Sequence, residues 1–266
     1  MFADWFPAMR DGISRSGCTF HREDLACAFY GDLFRSPAQM LSNDPPWYSP
    51  EDVVDEIESG LLEAWWYEAA CCDVSVAEPG SRTLARTPRS VQQALNALSG
   101  SKFFAGIAER FMIFSLKQVQ RYFTDDDLRQ KVIDRVARAI APDTRVIVGH
   151  SLGSVVAYEA LCANPDWQVR ALVTLGSPLG VKNLIFDRLR PPADESGLGC
   201  WPGSVSAWIN IVDDGDIVAL SKDLRPLFGE RVTGTFVHCG SRAHDVRRYL
   251  TAEASGEAIL AGLRHG

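Results

Sequence analysis

The sequence predicts an α/β protein with a mostly parallel sheet flanked by helices, and three observations carry that expectation. From residue 145 onward, short apolar runs alternate with helical stretches: RVIVGH, SLGSVVAYEALCA, VRALVTLG, VSAWINIVD, GTFVHCG and a closing helix. Short runs that are apolar throughout belong to strands covered on both faces, the environment of a parallel sheet. Residues 36–141 carry mostly helical signals, so helices enter as a block between the first apolar run and the sheet. Between the first of the later runs and its helix stands Gly149-His150-Ser151-Leu152-Gly153, a glycine-flanked serine on a strand-to-helix turn.

Taken in order, residues 4–17 read as a helix that ends near Gly12–Gly17. LACAFYGDLF (25–34) then reads as a strand. Ser49-Pro50-Glu51-Asp52 reads as a helix start, with serine to cap, proline at the first helical position and acids in the first turn. The helix that follows runs through DEIESGLLEAWWYEAACC. Residues 78–90 read as a loop, and a long helix over roughly 116–140 ends before Pro142. Trp65, Trp66 and Tyr67 are consecutive and point around a helix rather than to one face, which favours core packing over a lining for a binding pocket. Asp125-Asp126-Asp127 reads as the cap of the helix after it, not as a metal site.

Composition bounds the function. The chain has 266 residues, 46% hydrophobic and 23% charged, with a net charge of −7. A negative protein is a poor general binder of nucleic acid, because phosphate recognition needs a positive field. No apolar run approaches the roughly 18 residues needed to span a bilayer, and MFADWFPAMRDGI lacks the apolar core of a secretory signal. Seven scattered cysteines without C-x-x-C or metal-ligand spacing read as reduced thiols of a cytoplasmic protein.

The glycine-flanked serine matches G-x-S-x-G in its required context. Such an elbow lifts the hydroxyl above the sheet edge and places it at a helix N-terminus, where free N–H groups and the helix dipole favour negative charge. Ser151 is therefore the candidate nucleophile and the Leu152 N–H a candidate oxyanion donor; the alternative is a serine that only caps the helix. A serine needs a base. Of the five histidines, His21 and His150 lie at or before the elbow and His265 sits at the end of the chain. His238, inside TFVHC, and His244, in the turn SRAHD, are left, and the loop position favours His244. For the acid, SAWINIVDDGDIVAL supplies Asp213, Asp214 and Asp216. Asp216, in a tight turn after Gly215, is preferred, with Asp214 next.

GHSLG, LVTLGSPLG, NIVDDGDIVA and AHDVRRYL together resemble the α/β-hydrolases of the serine-esterase and lipase type, well over residues 145–263, weakly over the first 34 and hardly at all between. The resemblance implies the hydrolase fold and a Ser151–Asp216–His244 triad, acting through an acyl-enzyme without metal or organic cofactor. It also implies one domain over 1–266, with a helical cap inserted at about 36–115. One departure stands out. In that family a strand ending in His-Gly precedes the first helix and supplies the second oxyanion N–H, and no His-Gly pair occurs here. Either the chain starts inside a longer natural protein, or the Tyr30-Gly31 turn substitutes, or the oxyanion hole is incomplete. A missing first strand would leave a sheet edge open to pairing with a second copy. The expected substrate is a small ester, apolar in its acyl group if the cap aromatics face the site. A hydrolase-fold scaffold that binds but turns over poorly is the alternative.

Overall fold

The computed structural model describes residues 1–35, 47–80, 87–101 and 109–264. The chain divides into two compact units, one of Met1–Phe29 with Ile133–Gly266, the other Tyr30–Val132.

The first unit is α/β. Its sheet has four strands among the described residues, β1 (Val146–His150), β2 (Ala171–Leu175), β3 (Ala207–Asp213) and β4 (Val232–Val237), all parallel and in spatial order β1-β2-β3-β4. The register pairs Val146 with Ala171, Ala171 with Ala207 and Trp208 with Val232. All five residues of β2 are buried, because helices cover both faces of the sheet. On one face Val173, Leu175 and Ile211 join a core with Met9 and Ile13 of α1 (Phe2–Arg15), Tyr249 and Leu250 of α8 (Val246–Thr251), and Ile259 of α9 (Glu253–Arg264). On the other, Trp208 stacks at a tilt against Tyr158 of α6 (Leu152–Ala163) and against Phe228 of the short α7 (Arg225–Phe228). The polar side chains on this face bond to one another. Trp208 Nε1 donates to Thr174 Oγ1, Thr174 donates to Asn210 Oδ1, and Asn210 Nδ2 donates to the Lys222 carbonyl. That last bond pins the segment after β3 to the sheet.

The N-terminal helix meets the C-terminal helices backbone to backbone. A Cβ on Gly12 would strike the Leu250 carbonyl, and one on Gly256 would strike Gly12 itself. Gly256→Ala should therefore cost about 1–3 kcal/mol of stability, read as a lowered urea midpoint with an unchanged m-value.

The second unit is helical: α2 (Glu56–Cys72), α3 (Pro88–Gly100), α4 (Glu109–Thr124) and the first part of α5 (Asp126–Ala137). Leu61, Leu62, Leu95, Leu98, Met112, Ile113 and Leu116 form its interior. Asp55 caps α2 by accepting from Ile57 N, and Glu58 returns the bond to the Asp55 N–H, so both ends of a capping box are made. The Glu58 carboxylate is buried and paired with Lys117 Nζ at 2.9 Å, which ties α2 to α4. Asp125 accepts from Leu128 N and caps α5. Trp65 and Trp66 are buried and Tyr67 is exposed, so the two indoles are consumed in packing this unit. No described helix is long and apolar enough to cross a membrane.

Three expectations are corrected. Residues 25–34 are not a strand: 25–30 carry no regular structure and lead into a 3-10 turn, Gly31–Phe34. Arginine side chains take up carbonyls there, Arg135 at Phe29 and Arg121 at Phe34, satisfying backbone that a strand would pair with a neighbour. Ser49-Pro50-Glu51-Asp52 does form a capping box, but it closes only a 3-10 turn, and α2 starts at Glu56. The long helix expected over 116–140 is two helices, α4 and α5, broken at Asp125, whose side chain starts a new cap instead of continuing the turn. The loop expected at 78–90 falls partly on residues 81–86, outside the described residues, and α3 already begins at Pro88.

Candidate active site

The site lies at the carboxyl ends of β1, β2 and β3, within the α/β unit. Ser151 follows β1 directly and has φ 52° and ψ −131°. A side-chain-bearing residue held at positive φ is strained by about 1–3 kcal/mol and persists only where its surroundings impose it. Two contacts impose it here. The Ser151 N–H donates to the Leu175 carbonyl at 3.1 Å, and the Ser151 carbonyl accepts from both the N–H and the hydroxyl of Ser154. Ser154 Oγ in turn lies 2.6 Å from Ser177 Oγ, which bonds the Leu179 N–H, so the first turn of α6 is locked to the loop after β2. Gly149 is required as well: a Cβ there would sit 2.6 Å from the Gly153 carbonyl and the Ser154 Cα. Ser151 occupies the N-cap of α6 without a side-chain capping bond. The plain capping role does not hold, and the half-buried hydroxyl is left at the helix N-terminus. The N–H of Leu152, first residue of α6, points from the same end, where helical N–H groups have no intrahelical partner.

Asp216 and His244 are brought together across 28 residues of sequence. His244 Nδ1 is 2.8 Å from Asp216 Oδ2 and 3.0 Å from Oδ1. A carboxylate only accepts, so Nδ1 carries a proton, and in the neutral tautomer this bond selects, Nε2 is the acceptor. Asp216 is fully buried and every group bonded to its carboxylate is a donor: His244, the Tyr249 hydroxyl, and the Val218 and Ala219 N–H groups. Burial works against its charge, but the imidazole of His244 and the bonds from His244, Tyr249 and Val218 outweigh it and hold the carboxyl at about 2. Of the other acids weighed, Asp213 is buried and clamps the end of β3 by accepting from Gly215 and Cys239 N–H groups, and Asp214 is exposed. His238 is exposed just past the end of β4.

Three site residues gave no warning as functional positions. His150, set aside because it precedes the serine, packs its ring 4.5 Å from that of His244, and its Nε2 lies 3.1 Å from the His244 carbonyl. Since a carbonyl only accepts, Nε2 is the protonated nitrogen. Burial, and then the neighbouring imidazole, push His150 down to about 3, so it is a neutral ring that holds the His244 loop through its own packing and hydrogen bond. Gly176, at φ 51°, leaves the space in which Asp216 and His244 meet, because a Cβ there would lie 2.5 Å from Asp216 Oδ2 and 3.2 Å from His244 Nδ1. Tyr249 completes the shell of Asp216. All three stood in quoted motifs, His150 in GHSLG, Gly176 in LVTLGSPLG and Tyr249 in AHDVRRYL, but no residue type or spacing there assigned them a role.

Protein-family models, curated proteins and solved structures yield no match to this chain.

Proposed function

We propose that the protein is a serine hydrolase that cleaves a carboxylic ester, thioesters and lipid esters included, through a covalent acyl-enzyme. The observation that carries this reading is the pairing of the buried Asp216 carboxylate with His244, whose ring packs against the neighbour of a strained serine at a helix N-terminus. In the proposed cycle His244 Nε2 takes the Ser151 hydroxyl proton as Oγ attacks the ester carbonyl. Asp216 stabilises the imidazolium that forms. The tetrahedral oxyanion accepts from the Leu152 N–H at the positive end of α6. Collapse breaks the carbon–oxygen bond to the alcohol, which leaves with the proton returned by His244. Water then attacks the acyl-serine by the same route, releasing the acid and regenerating Ser151.

A fluorophosphonate probe tests the reading. Labelling of the wild-type protein that disappears in Ser151→Ala is the expected result, and p-nitrophenyl esters of increasing chain length then grade the acyl group, for which an apolar chain is proposed. A wild-type protein that resists the probe and leaves every ester at its buffer rate would sink the reading in favour of a binding scaffold.

A further inference from the structure

Tyr249 is fully buried on α8, five residues beyond His244, with its phenol hydroxyl in the interior of the site. The hydroxyl makes two bonds of fixed direction. It accepts from the Asp213 N–H at 3.0 Å and donates to Asp216 Oδ2 at 2.7 Å. Neither direction can reverse, because an amide nitrogen cannot accept and an ionised carboxylate cannot donate. The oxygen it reaches is also the one closest to His244 Nδ1. Oδ2 is thus shared between two donors, and Oδ1 is held by the Val218 and Ala219 N–H groups.

We propose that Tyr249 is a positioning residue of the site: its hydroxyl fixes Asp216 Oδ2 toward the imidazole and draws off part of that oxygen's charge, setting the strength of the Asp216–His244 bond. The inference rests on the hydrolase reading for its purpose, but not for its geometry. Burial, and then the charge of Asp216, push the phenol far above its ordinary range, so the proton stays on Tyr249 and the hydroxyl remains a donor. Donors that share one acceptor compete for its charge. Removing one strengthens the bond to the other, and making one more acidic weakens it.

The readout is the downfield proton NMR resonance of His244 Nδ1–H, assigned by its absence in His244→Gln. It is compared in the wild-type protein, in Tyr249→Phe, and in protein carrying 3-fluorotyrosine at position 249. Phenylalanine keeps the ring volume and removes the hydroxyl, and the resonance is expected to move further downfield. The fluorinated phenol is a stronger donor in nearly the same shape, and the resonance is expected to move upfield. Opposite movements support the proposal. A resonance that stays at the wild-type position in both proteins overturns it. If the Phe variant does not fold, the fluorinated protein decides alone, upfield movement supporting the proposal and no movement overturning it. None of these measurements needs turnover. A failure of the hydrolase reading, seen as a wild-type protein that the fluorophosphonate does not label, is therefore distinguishable from a failure of this inference.

Discussion

Replacing Asp216 with Asn is expected to lower ester turnover by about 10⁴-fold and to destabilise the fold as well. The catalytic part follows from tautomer control. The carboxylate holds the Nδ1 proton of His244 and, in the proposed cycle, leaves Nε2 to take the Ser151 proton, whereas an amide offers its own N–H as readily as its carbonyl. The structural part follows from the partners. His244, Tyr249, Val218 and Ala219 all donate to this side chain, so the amide nitrogen of Asn would face donors and leave bonds unmade. An unsatisfied buried polar group costs about 1–3 kcal/mol. Stability should also change its pH dependence. The Asp216 carboxyl lies at about 2 when folded against 3.8 ordinarily. A depressed carboxyl contributes stability that is fully present above the unfolded value and is lost as pH falls through the folded one. The contribution is roughly 2 kcal/mol, fading between about pH 4 and pH 2. Urea melts at pH 6, 4 and 2.5 should show wild type losing that increment and Asp216→Asn lacking it. Parallel acid limbs for the two proteins would contradict the assignment.

Gly176→Ala is expected to cost at least about 100-fold in kcat without replacing any reacting group. The added methyl would overlap Asp216 Oδ2 and crowd His244 Nδ1 and the Tyr249 ring. Asp216 and Tyr249 are fully buried and His244 is half-buried against them, so Asp216 and His244 must shift apart, and a misplacement of about 1 Å is worth about 10²-fold in rate. The positive φ at position 176 adds strain of about 1–3 kcal/mol for any residue with a side chain. Steady-state kinetics should place the loss in kcat more than in KM, with fluorophosphonate labelling slowed rather than abolished, because Ser151 and its elbow remain. Wild-type kcat in a folded Gly176→Ala protein would show that the acid–base pair tolerates displacement and would remove the geometric case for it.

How much of this was legible in the sequence differs from element to element. The four strands were, since an uninterrupted apolar run such as ALVTL has few places to go but the middle of a covered sheet. The serine elbow was, because G-x-S-x-G combines local backbone demands at Gly149 and Ser151 that the structure meets. Asp216 and His244 were named from their positions after strands, and the structure bonds them to each other. The run 25–34 misled because apolar content alone does not supply a neighbouring strand, and arginines took up its carbonyls. The tryptophans of α2 were no guide to a substrate, since a helical unit needs its own core.

The chain's local chemistry by itself determined the parallel α/β class and the strained serine, because backbone preference and hydrophobic patterning act over a few residues. Only the tertiary structure decided that the His150 ring packs on His244, that Gly176 clears the space where Asp216 and His244 meet, and that Tyr249 shares an Asp216 oxygen. Those roles arise from atoms brought within a few ångströms across long stretches of sequence, and no spacing along the chain encodes such a meeting.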